Sequence, residues 1–148
     1  MLHNLSIWQD PARNLPGAEL KALTDINYLV AKDQSEKKAI LDLILDKYSQ
    51  QARELSYTEI EAIINGEQIP ISKDDRILII RNPEDGQDPS IQKLIPSYLD
   101  KFRRNKHFQI FVATNSPFVI SAMGELSEYE KSQCDCSKYE FWPSQKVY

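Results

Sequence analysis

Two short polar stretches contain side chains that suit the chemistry of phosphates, metal ions and water. Residues 81–84, Arg-Asn-Pro-Glu, directly follow an apolar run at residues 77–80. Residues 114–117, Thr-Asn-Ser-Pro, directly follow a second apolar run at residues 108–113. Both polar stretches are therefore expected to lie at the ends of strands.

The chemistry available at these positions is limited. The carboxylate of Glu84 is a weak ligand for a metal ion or water, and the amide of Asn115 is a hydrogen-bond donor for phosphate. Each residue also has a simpler structural interpretation. Glu84 would cap a helix or form a salt bridge to Arg81, and Asn115 would form a turn at the end of a strand. We expect Thr114 and Ser116 to cap a helix rather than to bind a ligand.

The two apolar runs predict neighbouring strands at about residues 76–81 and 108–114. Residues 77–80 are apolar without alternation, as in a parallel strand that is covered on both faces. Apolar residues then recur at helical spacing and predict a helix over about 89–105, with a kink near Pro96. This order favours a parallel βαβ unit, and so an α/β fold in which a small sheet is flanked by helices.

Most of the remaining chain before residue 66 is predicted to be helical. The patterns predict helices over residues 18–32 and 35–55, and a short strand over residues 5–8. A further helix begins after Ser56, because Ser56 and Glu59 have the spacing of a capping box. Each side chain of such a box satisfies an unpaired backbone N–H group of the other residue.

The end of the chain is predicted to add strands to the sheet. Residues 126–138 are polar and are expected to be a loop or an edge element, whereas the last residues read as two strands around a turn. The single domain then has four parts: an irregular or helical part at 1–34, a helical part at 35–66, a βαβ core at 76–124 and a strand pair at 138–148.

Composition indicates a globular protein with one core. The chain has 148 residues, 41% of them hydrophobic and 27% charged, with a net charge of −4. This charge argues against broad electrostatic binding to nucleic acid. No apolar run approaches the roughly 18 residues of a membrane span. The first residues lack the pattern of a secretory signal, so we expect a cytoplasmic protein without a membrane partner.

Two smaller features have competing interpretations. Cys134 and Cys136 are expected to be free thiols on a surface loop, because one intervening residue is too few for a comfortable disulfide and no second pair completes a zinc site. A basic cluster could mark a nucleic-acid patch, but a solvated helix end is the favoured interpretation. The cluster consists of Lys101, Arg103, Arg104 and Lys106.

The order of motifs over residues 76–124, about a third of the chain, resembles the C-terminal lobe of ABC-type ATPases. The most similar branch is the SMC-like and overcoming-lysogenization-defect-like AAA proteins of bacteria. In that family the first strand ends in the Walker B box, and the second ends in the switch-histidine loop. The resemblance is carried by Pro83-Glu84, Pro89-Ser90, Gln92 and Ser116-Pro117-Phe118.

The positions that carry catalysis in the family are replaced here. Arg81 stands where the family has its magnesium-binding aspartate, and a cation repels Mg²⁺ at short range. Asn82 stands where the family has its general-base glutamate, and a neutral amide cannot take a proton from water as a carboxylate does. Asn115 replaces the switch histidine, so it can bind phosphate by a hydrogen bond but cannot carry charge.

Two further elements of the family are weak or missing. Leu55-Ser56 has the position of the ABC signature, but the following residues lack its glycines. The resemblance leaves Ser56, Asn115 and Ser116 as weak candidates for nucleotide contacts. The Walker A motif, Gly-x-x-x-x-Gly-Lys-Ser/Thr, is absent, and the four glycines of the chain cannot assemble a phosphate cradle.

The resemblance therefore implies a degenerate ATPase lobe that does not hydrolyse ATP on its own. Its expected partner is a protein, either a lobe that carries Walker A or a second copy of the chain. We expect no metal site, and ATP with Mg²⁺ only if a partner lobe completes the site. One alternative is the C-terminal half of an ATP-binding protein whose Walker A lobe another chain supplies. A second alternative is a nucleic-acid accessory module.

Overall fold

The computed structural model describes residues 2–3, 5–7, 18–20, 22–31 and 34–141. Strands and helices alternate through most of this part of the chain. The strands are β1 (Leu5–Ile7), β2 (Ala18–Leu20), β3 (Ile26–Ala31), β4 (Ala52–Glu54), β5 (Ile77–Arg81), β6 (Gln109–Ala113) and β7 (Cys136–Phe141). The helices are α1 (Gln34–Lys47), α2 (Tyr57–Ile64), α3 (Pro89–Gln92), α4 (Ile95–Arg103), α5 (Pro117–Gly124) and α6 (Glu128–Gln133).

The main sheet has five strands in the order β4-β5-β6-β3-β7, and every neighbouring pair is parallel. β5 and β6 are adjacent, with Leu78 opposite Ile110, so the predicted parallel pair and the α/β class are confirmed. β1 and β2 form a separate antiparallel pair, which includes the short strand predicted near the N-terminus. Because all five main strands are parallel, their carboxyl ends share one edge.

The helix predicted over residues 18–32 is wrong. This segment contains β2 and β3, and β3 lies between β6 and β7 in the sheet. Asn27, a residue that disfavours a buried strand, is fully buried there. Its amide donates to the carbonyls of Thr24, at 2.8 Å, and of Ile110, at 3.3 Å. The polar group is therefore satisfied within the sheet, and burial of the neighbouring apolar residues decides the conformation.

Helices cover both faces of the sheet, as the continuous apolar runs predicted. One core cluster joins Leu78 and Ile80 of β5 to apolar residues of α2, α4 and α5. The other joins Ile77 and Ile79 of the same strand to apolar residues of α1. Successive strand residues point to opposite faces, so this division follows from the period of a strand.

The helix predicted over 35–55 ends early. α1 stops at Lys47, and β4 then pairs with β5 at the edge of the sheet. Arg53 of β4 binds Glu59 at 2.9 Å and Asp75 at 3.0 Å, which ties the edge strand to α2 and to the segment before β5. The predicted capping box of α2 is confirmed, because Ser56 accepts from the backbone of Glu59 and Glu59 accepts from the backbone of Ser56.

The helix predicted over 89–105 is divided into α3 and α4. The break comes just before Pro96, which lies in the first turn of α4, where its missing N–H group is not needed. The predicted helix after residue 116 is confirmed as α5, and the side chain of Ser116 caps it by accepting from Val119 N at 3.2 Å.

The C-terminal region differs from the prediction. Residues 128–133 form α6, opened by a capping box of Ser127 and Glu130, rather than a loop. β7 extends the edge of the sheet as expected, but it runs parallel to β3. The second strand of the predicted pair, at residues 146–148, lies outside the described residues. Cys134 is only 2% exposed, so its prediction as a surface-loop thiol is wrong, whereas both cysteines are free as expected.

Candidate functional site at the carboxyl edge of the sheet

The structure brings the two predicted polar stretches together. β5 and β6 end side by side, and the backbone N–H of Asn82 donates to the carbonyl of Ala113 at 2.7 Å. Asn82 has a left-handed backbone with φ of 46°, a conformation that asparagine tolerates better than most residues. The chain therefore turns sharply after β5, and the turn carries Glu84 back towards the end of β6.

Glu84 binds the end of β6 with both carboxylate oxygens. Thr114 Oγ1 donates to Oε1 at 2.8 Å, and the backbone N–H of Asn115 donates to Oε2 at 3.1 Å. Of the two structural roles considered for Glu84, a salt bridge to Arg81 is not formed, because Arg81 pairs with Asp42 and Glu54. A carboxylate that accepts two hydrogen bonds from its own protein has less capacity left for a metal ion or a water molecule.

Arg81 points instead to α1 and β4. Its Nη2 donates to Asp42 Oδ1 at 2.7 Å, and its Nε donates to Glu54 Oε1. Burial acts to lower the pKa of Arg81, but the hydrogen bonds that Arg81 donates to the two carboxylates outweigh it and raise that pKa. The pKa of Asp42 is lowered: partial burial opposes this, but hydrogen bonds to Lys38 and Arg81 dominate. Arg81 thus joins three elements of the fold and is fully charged.

Lys37 is the site residue that the sequence analysis missed. It lies near the start of α1 and is only 2% exposed. Its Nζ donates to the carbonyl of Thr114 at 3.3 Å and to Asn115 Oδ1. Burial lowers the pKa of Lys37, and the nearby carboxylates of Glu84 and Asp85 oppose that shift. Lys37 therefore does not lie on a solvated face of α1.

A signal for Lys37 was present in the sequence. The lysine follows a segment rich in β-branched and aromatic residues at 26–31, which is a strand composition. A strand followed by a short loop, and then by a lysine in the first turn of a helix, is the order found in phosphate-binding loops. This order stays hidden if residues 18–32 are read as a helix.

Ser116 caps a helix, as predicted, whereas Thr114 binds Glu84 and the backbone of Ser116 instead. Both are buried. Thr114 Oγ1 accepts from the backbone of Ser116 at 3.1 Å, in addition to donating to Glu84. Ser116 caps α5 and donates its hydroxyl to Gln92 Oε1, and Gln92 in turn donates to the carbonyl of Gln87 at 2.8 Å. These bonds fix the end of β6 and the loop after β5 relative to each other.

Ser56, the remaining weak candidate for a nucleotide contact, uses its hydroxyl in the capping box of α2. The adjacent residue Tyr57 lines a cavity together with Arg81 and Asn82. The start of α2 therefore lies at the same edge as the replaced positions, although the Ser56 hydroxyl is bonded locally.

The basic cluster at the end of α4 is partly neutralised. Arg103 forms a salt bridge with Asp25 at 3.1 Å and donates to the carbonyl of Phe108 at 2.8 Å. Arg104 is paired with Asp100. Lys101 is exposed, and its ammonium lies 5.8 Å from the ring of Tyr98. Two of the four cations thus have carboxylate partners, which weakens the case for a nucleic-acid surface here.

The described part of the chain gives no support for a metal site or for a membrane-spanning helix. Its histidine, cysteine and acidic side chains include no group of three or more that could hold a metal ion. Its helices include none that is long and apolar enough to cross a membrane. Three charged groups at the carboxyl edge, those of Lys37, Arg81 and Glu84, each bind other residues of the chain.

No family model matches the sequence, and neither a curated protein nor a solved structure shows significant similarity to it.

Proposed function

We propose that this chain is a degenerate ABC/SMC-like ATPase lobe that does not hydrolyse ATP and acts as a scaffold for a protein partner. The observation that carries the proposal is the set of internal bonds at the carboxyl edge. Lys37 binds Asn115, Arg81 binds Asp42, and Glu84 binds Thr114. The side chains that would face a nucleotide in an active lobe are engaged with other residues of the chain.

The order of elements supports the ATPase-like frame. In a phosphate-binding loop, a strand is followed by Gly-x-x-x-x-Gly-Lys-Ser/Thr and then by a helix. Here β3 is followed by α1, and Lys37 takes the lysine position if Ala31 is aligned with the first glycine. Glu36 and Lys38 then replace the second glycine and the hydroxyl residue. The frame retains the lysine but has lost the residues that cradle phosphate.

The replacements argue against turnover for separate physical reasons. Arg81 presents a cation where magnesium would need an oxygen ligand. Asn82 has no carboxylate to accept a proton from water. Lys37 is buried and donates to two acceptors of its own chain, so an anion must compete with those bonds. A lobe with these features retains its shape and is suited to docking.

The candidate partners are a lobe that carries Walker A or a second copy of this chain. The alternative in which another chain supplies the whole Walker A half has less support, because β3, α1 and Lys37 already occupy that part of the frame. A nucleic-acid role has less support than docking, because Arg103 and Arg104 have carboxylate partners.

Calorimetric titration of the purified chain with Mg-ATP tests the proposal. We expect no saturable heat, because the lysine is engaged internally and no phosphate cradle surrounds it. The matched variant is Lys37→Met, which keeps an unbranched side chain only one atom shorter and removes the charge. A saturable heat that disappears in Lys37→Met would mean that the edge still binds nucleotide, and the proposal would then be wrong.

A further inference from the structure

A cavity of about 200 Å³ lies between the start of α2 and the loop that follows β5. Its apolar lining includes Leu55, Ile60 and Pro83, all of which are buried. Pockets for drug-sized ligands have volumes of roughly 300–1,000 Å³. The cavity is smaller than that range, so its size suits one amino-acid side chain rather than a nucleotide.

Tyr57 forms one wall of the cavity and is 61% exposed. A Cβ atom added to Gly86 would lie 3.4 Å from its hydroxyl, so the loop after β5 passes close to the tyrosine. Gly86 has φ of 75°, a conformation that glycine adopts without strain. The loop thus approaches the edge of Tyr57 and leaves most of the side chain uncovered.

The charges that line the cavity are predominantly negative. Three carboxylates, those of Glu54, Glu61 and Asp85, line it together with the single guanidinium of Arg81. Arg81 and Glu54 are paired with each other. Glu61 and Asp85 are exposed, and no salt bridge within the described residues involves either of them. These two carboxylates therefore have no salt-bridge partner in the cavity lining, although Asp85 lies near enough to Lys37 to act on its pKa.

An apolar floor, an aromatic wall and unmatched carboxylates fit one kind of occupant. The aliphatic part of a basic side chain packs against apolar surface while its cation remains near water. A guanidinium also stacks on aromatic faces and binds carboxylates through planar N–H groups, which an ammonium does less well. Tyr57 would supply the aromatic face, and Glu61 and Asp85 the carboxylates.

We propose that this cavity binds an arginine side chain of a partner polypeptide. The inference rests on the proposed function, since it supplies the chemistry by which a partner docks at the carboxyl edge. Binding of the arginine does not require a nucleotide. The residues proposed to contact it lie outside the set of bonds that engages Lys37 and Glu84. They are Leu55, Tyr57, Glu61 and Asp85.

The test is a titration of the whole chain with N-acetyl-arginine-N-methylamide. Binding is monitored through the NMR chemical shift of the Gly86 amide. We expect a saturable shift. Glu61→Gln and Asp85→Asn should each weaken binding by roughly threefold, as for exposed ion pairs. Tyr57→Ala should weaken it by a similar factor of about three, through the lost cation–π contact. Glu67→Gln and Tyr129→Ala, which alter exposed residues outside the cavity, should leave the affinity unchanged.

Three results would overturn the inference: no saturable shift, equal binding of the uncharged N-acetyl-glutamine-N-methylamide, or tighter binding of agmatine than of the blocked arginine. The last would indicate a free small molecule rather than a polypeptide side chain. None of these results depends on nucleotide. If neither the blocked arginine nor Mg-ATP binds saturably, the arginine site is ruled out but the proposed scaffold role is not.

Discussion

The ammonium group of Lys37 donates a hydrogen bond to the side-chain oxygen of Asn115, although 78 residues separate the two in the sequence. Lys37 lies near the start of α1, and Asn115 follows β6. The same ammonium also donates to the carbonyl of Thr114 at 3.3 Å. A cation that would otherwise require an anion is therefore held by neutral oxygens of its own chain, and this arrangement has measurable consequences.

The first prediction concerns stability at alkaline pH. Burial lowers the pKa of Lys37 from its ordinary value of 10.5. Between the lowered pKa and 10.5 the unfolded chain binds more protons at this residue than the folded chain. The contribution of Lys37 to the free energy of unfolding therefore rises with pH in this window.

Urea denaturation of the wild type and of Lys37→Met at intervals from about pH 8 to pH 10.5 measures that contribution. The wild type should gain stability relative to the variant as the pH rises. A difference that stays level or decreases over this interval would contradict the burial of a charged Lys37.

The second prediction concerns the ion pair of Arg81 and Asp42, which are 2.7 Å apart. A double-mutant cycle with Arg81→Met and Asp42→Asn should give a coupling energy of about 0.5–1 kcal/mol, because both side chains are partly shielded from solvent. The pKa of Asp42 is below its ordinary 3.8. This stabilisation should be complete above pH 3.8 and disappear as the pH falls through the lowered pKa.

The matched control uses the other partner of Asp42. Lys38 lies 2.7 Å from Asp42, but its side chain is 73% exposed. A cycle with Lys38→Met and Asp42→Asn should give a smaller coupling, of about 0.3 kcal/mol, as is typical of exposed i,i+4 pairs. If the two cycles give equal couplings, Arg81 is not the principal partner of Asp42.

The third prediction concerns Glu84, which accepts from Thr114 Oγ1 and from the backbone of Asn115. Glu84→Gln replaces one acceptor oxygen with an NH₂ group that faces a donor. We expect the free energy of unfolding to fall by about 1–2 kcal/mol. Asp85→Asn, an exposed change one residue away, should stay within about 0.5 kcal/mol of the wild type. If chemical denaturation shows that the two substitutions lower the free energy of unfolding equally, the structural role of Glu84 is contradicted.

The fourth prediction concerns Cys134. Burial raises its pKa from 9.0 to about 12. Between these values the folded chain keeps a proton that the unfolded chain loses, so stability falls as the pH rises. One such proton contributes at most about 1.4 kcal/mol per pH unit. Tyr28 and Cys136 act in the same direction, because burial also raises their pKa values.

Cys134→Ala should make the alkaline loss of stability shallower between pH 9 and about pH 12. The slope is the relevant measurement, because the small cavity left by the substitution lowers stability at every pH. A slope identical to that of the wild type would mean that the thiol titrates normally and is not buried in the folded chain.

Sequence patterns predicted those features that depend on neighbours along the chain. The capping box of Ser56 and Glu59, the cap at Ser116 and the interruption near Pro96 all arise within one helical turn. The continuous apolar run of β5 likewise reports a strand buried on both faces. Such signals identified the βαβ core, whereas the meeting of the two polar stretches is seen only in the structure.

Distant contacts explain what the sequence did not reveal. β3 depends on the bond from Asn27 to the carbonyl of Ile110, 83 residues away. Burial of Lys37 depends on Thr114, which is 77 residues away. The orientation of Arg81 depends on Asp42, which is 39 residues away. None of these partners can be inferred from spacing along the chain. The sequence therefore predicts which residues lie at the strand ends, but it does not predict which side chains there bind to each other.

The most direct test of the central claim is steady-state phosphate release by the purified chain in the presence of Mg-ATP. The bonds of Lys37, Arg81 and Glu84, and the amides at Asn82 and Asn115, predict no release above the protein-free rate. Release that persists through purification and is abolished by Glu84→Gln or by Asn115→Ala would contradict the account, because it would show that the carboxyl edge of the sheet hydrolyses ATP.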